Sequence, residues 1–73
     1  MPFVQVPLKQ SSNIKGAEYD GESKTLRVHF LKGGSYDYPG VEQDKVDDFS
    51  AADSPGKFHF NFIKGYYQHN KVG

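Results

Sequence analysis

No cysteine occurs in this chain. That absence excludes a disulfide framework, thiol catalysis and cysteine-based zinc sites. It points to a reducing, cytoplasmic setting, because small secreted domains usually depend on disulfides. Long apolar runs are missing as well. The longest are a few residues, against the ~20 a membrane-spanning helix requires, so no membrane association is expected. The opening MPFVQVPLKQ has neither the charged start nor the apolar stretch of a signal peptide. Nor does either sign of charge dominate: nine basic side chains face nine acidic ones. Dedicated nucleic-acid binders usually carry a basic excess, so binding of that kind would require the positive groups to be gathered on one face.

What is present is aromatic. Six Phe and five Tyr stand beside no Trp in a chain of 73 residues. A single domain of this size buries only ~60% of its unfolded surface, and large rings fill a small core efficiently. The stretch that organises the rest is TLRVHFLKGGSYDY, Thr25 to Tyr38. Leu26, Val28 and Phe30 alternate with Arg27, His29 and Leu31, the period of a half-buried strand. Gly33 and Gly34 break the pattern, a second alternating run follows from Ser35, and Pro39-Gly40 ends it. This is a β-hairpin.

Two registers are open. A Gly33-Gly34 loop places Tyr36 opposite Leu31 and Tyr38 opposite His29, which puts both rings on an open face beside Arg27. A Lys32-Gly33-Gly34 loop places them opposite Phe30 and Val28, in the core.

Ile14 to Tyr19 reads as a strand before the hairpin, with Ala17 and Tyr19 on one face and Ile14, Gly16 and Glu18 on the other. The Asp20-Gly21 turn then leads into the hairpin. After Val41, Glu42 to Ala52 reads as a short amphipathic helix, with Val46 and Phe49 on its apolar side. Ser54-Pro55 is a helix start, Ser at the N-cap and Pro at the first position. KFHFNFIKGYY is ambiguous. Phe58, Phe60 and Phe62 have the period of a strand, whereas Phe58, Phe62 and Tyr66 form a helical stripe. Tyr66 to Gly73 is an extended tail or a late edge strand. The expected fold is α+β: a three-stranded antiparallel β-meander with two short C-terminal α-helices packed on one face.

The ordered set Ser11-Ser12-Asn13-Ile14, Tyr19-Asp20, Leu26-x-Val28-x-Phe30, Gly34-x-Tyr36-x-Tyr38-x-Gly40-Val41, Ala52-x-Ser54-x-Gly56-Lys57-Phe58 and Ile63-Lys64 resembles the KTSC domain. That family is named for its occurrence at the C-terminus of some lysyl-tRNA synthetases and also occurs as small stand-alone bacterial and phage proteins. The resemblance runs from Ser11 to Val72, with Tyr36-Asp37-Tyr38 as the central YxY. It divides the chain into 1–10, an N-terminal arm or edge strand, and 11–73, a KTSC-like domain. It implies a small α+β domain of unestablished function for which RNA binding is the usual suggestion, and it favours helix for Phe58 to Lys64. Family members commonly carry a second aromatic directly after the Phe58 position and then a polar residue. Here the order is His59-Phe60, which leaves the facing of the segment open.

The candidate ligand-binding residues are Tyr36 and Tyr38, as a stacking platform, with Ser54, Gly56, Lys57, Asn61 and Lys64 around a helix start able to meet phosphate. Ser11 and Ser12 join them if their turn packs against that start. Each has a plain alternative: core packing for the tyrosines, ordinary capping and solvated lysines for the helix start, local turn bonds for the serines. No metal spacing joins His29, His59 and His69, and no nucleophile elbow or phosphate loop is present. The expectation is a non-enzymatic module without cofactor or metal, binding RNA or another phosphate-bearing ligand. A protein partner and capture of a small nucleotide are the alternatives. The chain is expected to be a monomer, or a weak homodimer paired through an edge strand.

Overall fold

The expected alternation becomes a sheet of five strands rather than three. The computed structural model describes residues 3–11 and 13–73; Met1, Pro2 and Ser12, the last a candidate ligand residue, lie outside the described residues. The strands are β1 (Val4–Val6), β2 (Ile14–Asp20), β3 (Thr25–Phe30), β4 (Ser35–Tyr38) and β5 (Asn70–Lys71). Each pairs antiparallel with the next in chain order. Between β4 and β5 come α1 (Gln43–Ala51), α2 (Pro55–Phe58) and a π-helical turn, His59–Ile63, that continues α2. The additional strands are three and two residues long. Runs that short show no periodicity of their own and exist because β2 and β4 offer them free edges.

Leu26, Val28, Ala17, Tyr19 and Tyr38 lie on the covered face, packed with Val41, Val46, Phe49 and Ile63. Tyr19 donates its hydroxyl hydrogen to the Val41 carbonyl at 2.6 Å, so the ring is buried with its polar end satisfied. The opposite face is laced by cross-strand pairs. Arg27 makes a two-point contact with Asp37 at 2.7 and 3.0 Å. His29 lies 2.6 Å from the Ser35 hydroxyl and 3.0 Å from the Glu18 carboxylate. The Arg27 guanidinium also stands 4.2 Å from the centre of the Phe3 ring.

Ile14 is buried on the same side as Ala17 and Tyr19. The simple alternation expected it on the other side. Ile14 pairs with Phe30 and Gly16 with His29, so Lys15 is an extra residue, a β-bulge that reverses the facing of everything before it.

The hairpin adopts neither expected register. Tyr36 pairs with Val28 and Tyr38 with Leu26. The loop is wider, Leu31 to Gly34, and closes through the Phe30 N–H donating to the Gly34 carbonyl at 2.9 Å. The parity still places both tyrosines on the Val28 face, so no open platform of Tyr36 and Tyr38 beside Arg27 forms.

Gly34 is held by the far end of the chain. Its φ is +87°, and a Cβ there would overlap the Gly73 carbonyl. The Ser35 and Val72 amides donate to the Gly73 and Ser35 carbonyls at 3.2 and 2.8 Å. Gly34→Ala is therefore expected to release β5 and to cost more than the ~1–2 kcal/mol of the left-handed backbone alone. Gly33→Ala, at φ +96° with open space around it, should cost only that backbone contribution. Amide exchange at Val72 and Ser35 is the readout: it should quicken strongly in the first variant and little in the second.

Candidate functional site

The segment of ambiguous period is helical. Ser54 accepts a hydrogen bond from the Lys57 amide at 3.5 Å through its side chain and from the Phe58 amide at 3.0 Å through its carbonyl, and Pro55 occupies the first position. After Phe58 the ladder widens: the Lys64 N–H reaches back five residues to the His59 carbonyl at 2.7 Å. In this wider turn His59 and Ile63 face inward and Phe60 points out, 65% exposed. The three phenylalanines therefore part company. Phe58 stacks on Phe49 with centres 5.6 Å apart, and Phe62 leans on Phe58 at 5.0 Å. Phe60 lies under the Lys64 ammonium, 5.4 Å from the ring centre.

At this end of the sheet a cavity of about 440 Å³ opens. The β3–β4 hairpin contributes Phe30, Lys32, Tyr36 and Tyr38, α2 and its π turn contribute Gly56, His59, Phe60 and Lys64, and Asn13 and His69 close the rim. The rings lock one another edge-on. Phe30 meets Tyr36 at 5.8 Å and His59 at 5.0 Å, and Tyr36 meets His69 at 5.4 Å. Among the described residues, no carboxylate lines the cavity. Among the described residues, Lys32 and Lys64 take part in no ion pair, whereas Lys9, Lys24 and Arg27 are each held by an acid.

A buried pair forms the floor. Tyr38, 3% exposed, and His59 are joined by a hydrogen bond of 2.7 Å between the hydroxyl and Nε2. Either group can donate in this bond, according to which imidazole nitrogen carries the proton. Burial pushes His59 down to about 4, with the neighbouring Lys64 and His69 side chains lowering it further. Burial likewise pushes Tyr38 up to about 12, with Tyr36 adding to it. The pair is neutral across the physiological range.

The candidate residues separate accordingly. Tyr36, Tyr38, Gly56 and Lys64 line the cavity. Tyr38 presents itself as floor, since its ring is buried and cannot stack with a base. Ser11 stands at the edge. Its hydroxyl accepts from the Asn13 and Ile14 amides at 3.1 and 3.2 Å and lies 3.4 Å from where a Gly56 Cβ would stand, so the polar turn does pack against the helix start. Ser54, Lys57 and Asn61 are exposed and outside the cavity. Lys57 and Lys64 do not meet at the cavity, since only Lys64 lines it. Sequence reasoning passed over Phe30, Lys32, His59, Phe60 and His69. The available signal was His59 itself, a histidine set between phenylalanines directly after a capped helix start.

A second cluster resembles catalytic machinery in its residue types. Ser35, His29 and Glu18 form a hydroxyl–imidazole–carboxylate chain across β4, β3 and β2. It lies on the open face of the sheet, and the Ser35 N–H donates to the Gly73 carbonyl.

Comparison with known proteins gives a consistent picture. The family model described as KTSC domain matches residues 10–67. An uncharacterized protein of Stutzerimonas stutzeri (strain A1501) is 40% identical over 54 residues, 74% of this chain and 75% of its own. A protein of Tsukamurella paurometabola is 36% identical over 55 residues, 75% of this chain and 82% of its own. The crystal structure of a KTSC domain protein from Yersinia pestis superposes with a TM-score of 0.91 at 32% identity, over 99% of this chain and 100% of that one. The sheet order, the capped helix start and the central Tyr36-Asp37-Tyr38 thus sit within a shared architecture, and this chain belongs to the KTSC domain family.

Proposed function

We propose that this protein is a non-enzymatic binding module of the bacterial or phage cytoplasm that holds single-stranded RNA at the end of the sheet where the cavity opens. One observation carries the reading: a cavity that joins Lys32 and Lys64 to the exposed Phe60 ring and the edge of Tyr36, with neither ion pairs to those lysines nor a carboxylate in the wall among the described residues. Such a combination serves both parts of an RNA strand, cations for phosphate and ring faces for unstacked bases. It also answers the neutral net charge, because the acids of α1, Asp44, Asp47 and Asp48, are outside this wall.

The non-enzymatic part is supported by the buried pair alone: acid–base catalysis uses a group whose pKa lies near the working pH, and burial moves both His59 and Tyr38 away from it.

Two phosphate contacts on a single strand, from Lys32 and Lys64, predict a slope of log affinity against log salt of about −1.4, and Lys64→Gln should reduce its magnitude by ~0.7. Phe60→Leu should weaken binding by ~1–3 kcal/mol with the slope unchanged. Fluorescence anisotropy of a labelled single-stranded RNA across a salt series measures both. Absence of binding at low salt would discard the RNA reading. Salt-insensitive capture of a protein would replace it with docking through apolar surface.

A further inference from the structure

Resting on that reading, we infer that the cavity seats one nucleoside monophosphate unit, its base on the Phe60 ring and its phosphate on the ammonium groups of Lys32 and Lys64. The unit is supplied either as a free mononucleotide or as one unpaired nucleotide of an RNA strand. The volume of about 440 Å³ falls in the lower part of the ~300–1,000 Å³ range of small-ligand sites, room for one nucleotide and not for a stacked run.

The chemistry of the wall selects the ligand. With Lys32 and Lys64 and without a carboxylate, it favours an anion. Lys64 now rests 5.4 Å above the centre of the Phe60 ring. A phosphate would draw that ammonium away and leave the ring face to a base, so charge and stacking are exchanged in one step. Phe60 is 65% exposed, so no core contact has to be surrendered. The Asn13 amide at the rim offers both a donor and an acceptor to a base edge. Beneath, the edge-on rings of Phe30, Tyr36 and His59 and the Tyr38–His59 bond hold the floor in place.

The test is amide NMR titration of the whole protein with AMP, with adenosine, with inorganic phosphate and with a single-stranded RNA, each at low salt. The expected result is that AMP shifts the Phe60, Lys64, Tyr36 and His69 amides at millimolar concentration. Adenosine and phosphate should each bind about tenfold more weakly or less. Phe60→Leu and Lys64→Gln should each weaken AMP about fivefold or more while keeping a dispersed, folded spectrum. RNA binding with no AMP shifts at about 10 mM would overturn the seat and leave the RNA reading standing. Equal response to AMP and to phosphate would overturn base recognition. Silence towards every probe would remove both readings.

Discussion

Phe49→Ala is expected to destabilise the protein by about 3–5 kcal/mol, the range for emptying an aromatic site in a core. Phe49 is fully buried on α1. Its ring is stacked on Phe58 with centres 5.6 Å apart, so it ties α1 to the segment that walls the cavity. A chain of 73 residues has total stability on the order of 4–11 kcal/mol by the usual per-residue scale. The substitution thus removes a large share of it, and the melting temperature should fall by more than about 12 °C. Phe49→Leu leaves a smaller void and should cost well under half as much. Urea denaturation followed by circular dichroism gives both values. A loss below ~1 kcal/mol for the alanine variant would mean that α1 is not packed through this ring.

The second large effect is on pH. The folded pKa of His59, about 4, lies below the ordinary value of 6.5. Above pH 6.5 neither the folded nor the unfolded chain protonates this group, and the full stability is present. As pH falls from 6.5 towards 4 the unfolded chain takes up the proton and the folded chain does not, so stability declines, reaching a loss on the order of 3 kcal/mol near pH 4. Tyr38 acts at the other end. Its pKa rises from 10 to about 12, so stability is complete below pH 10 and declines as pH rises from 10 to 12. Asp20, held low mainly by the Glu22 amide, contributes its own loss only at more acid pH than this window.

His59→Gln separates these effects. The Gln amide can replace the imidazole in either role towards the Tyr38 hydroxyl, so the alkaline decline should remain while the decline between pH 6.5 and 4 flattens. Urea midpoints from about pH 4 to about pH 12 for both proteins are the measurement. An unchanged acid limb in the variant would show that His59 titrates freely in the folded state and that the buried pair is misassigned.

The two effects meet in the same region. Phe58 links the core ring Phe49 to the turn that carries His59, Phe60 and Lys64. A module whose ligand wall is built on the core in this way should lose ligand binding along with folding, not before it. For that reason Phe60 and Lys64, both exposed, are the better probes of function, and Phe49 and His59 the better probes of stability.

Local pattern was enough for several elements. The strand at Leu26 and Val28 follows from period two, the helix at Val46 and Phe49 from an apolar stripe, and the start of α2 from Ser54-Pro55, because in each case neighbouring residues carry the whole signal. The family was legible too, in an ordered set of short matches spread over most of the chain. The two end strands were open possibilities only, since β1 and β5 depend on edges that distant residues supply.

Other features belong to the tertiary structure alone. The bulge at Lys15 turns Ile14 inward, and sequence alternation cannot register an extra residue. The hairpin register depends on a Gly34 conformation shaped by Gly73, thirty-nine positions away in the chain. The segment with three phenylalanines at period two is helical because the cap at Ser54 and the burial of Pro55, His59 and Ile63 outweigh its alternation. The cavity is the clearest case. Asn13, the hairpin residues Lys32 and Tyr36, His59 and Lys64 of the π turn and its C-cap, and His69 come from four separate stretches. What the sequence determined by itself was the elements and the family; which cations and rings share one wall was decided only when the sheet, the π turn and the C-terminal strand closed on one another, because proximity between distant residues is a property of packing and not of any local period.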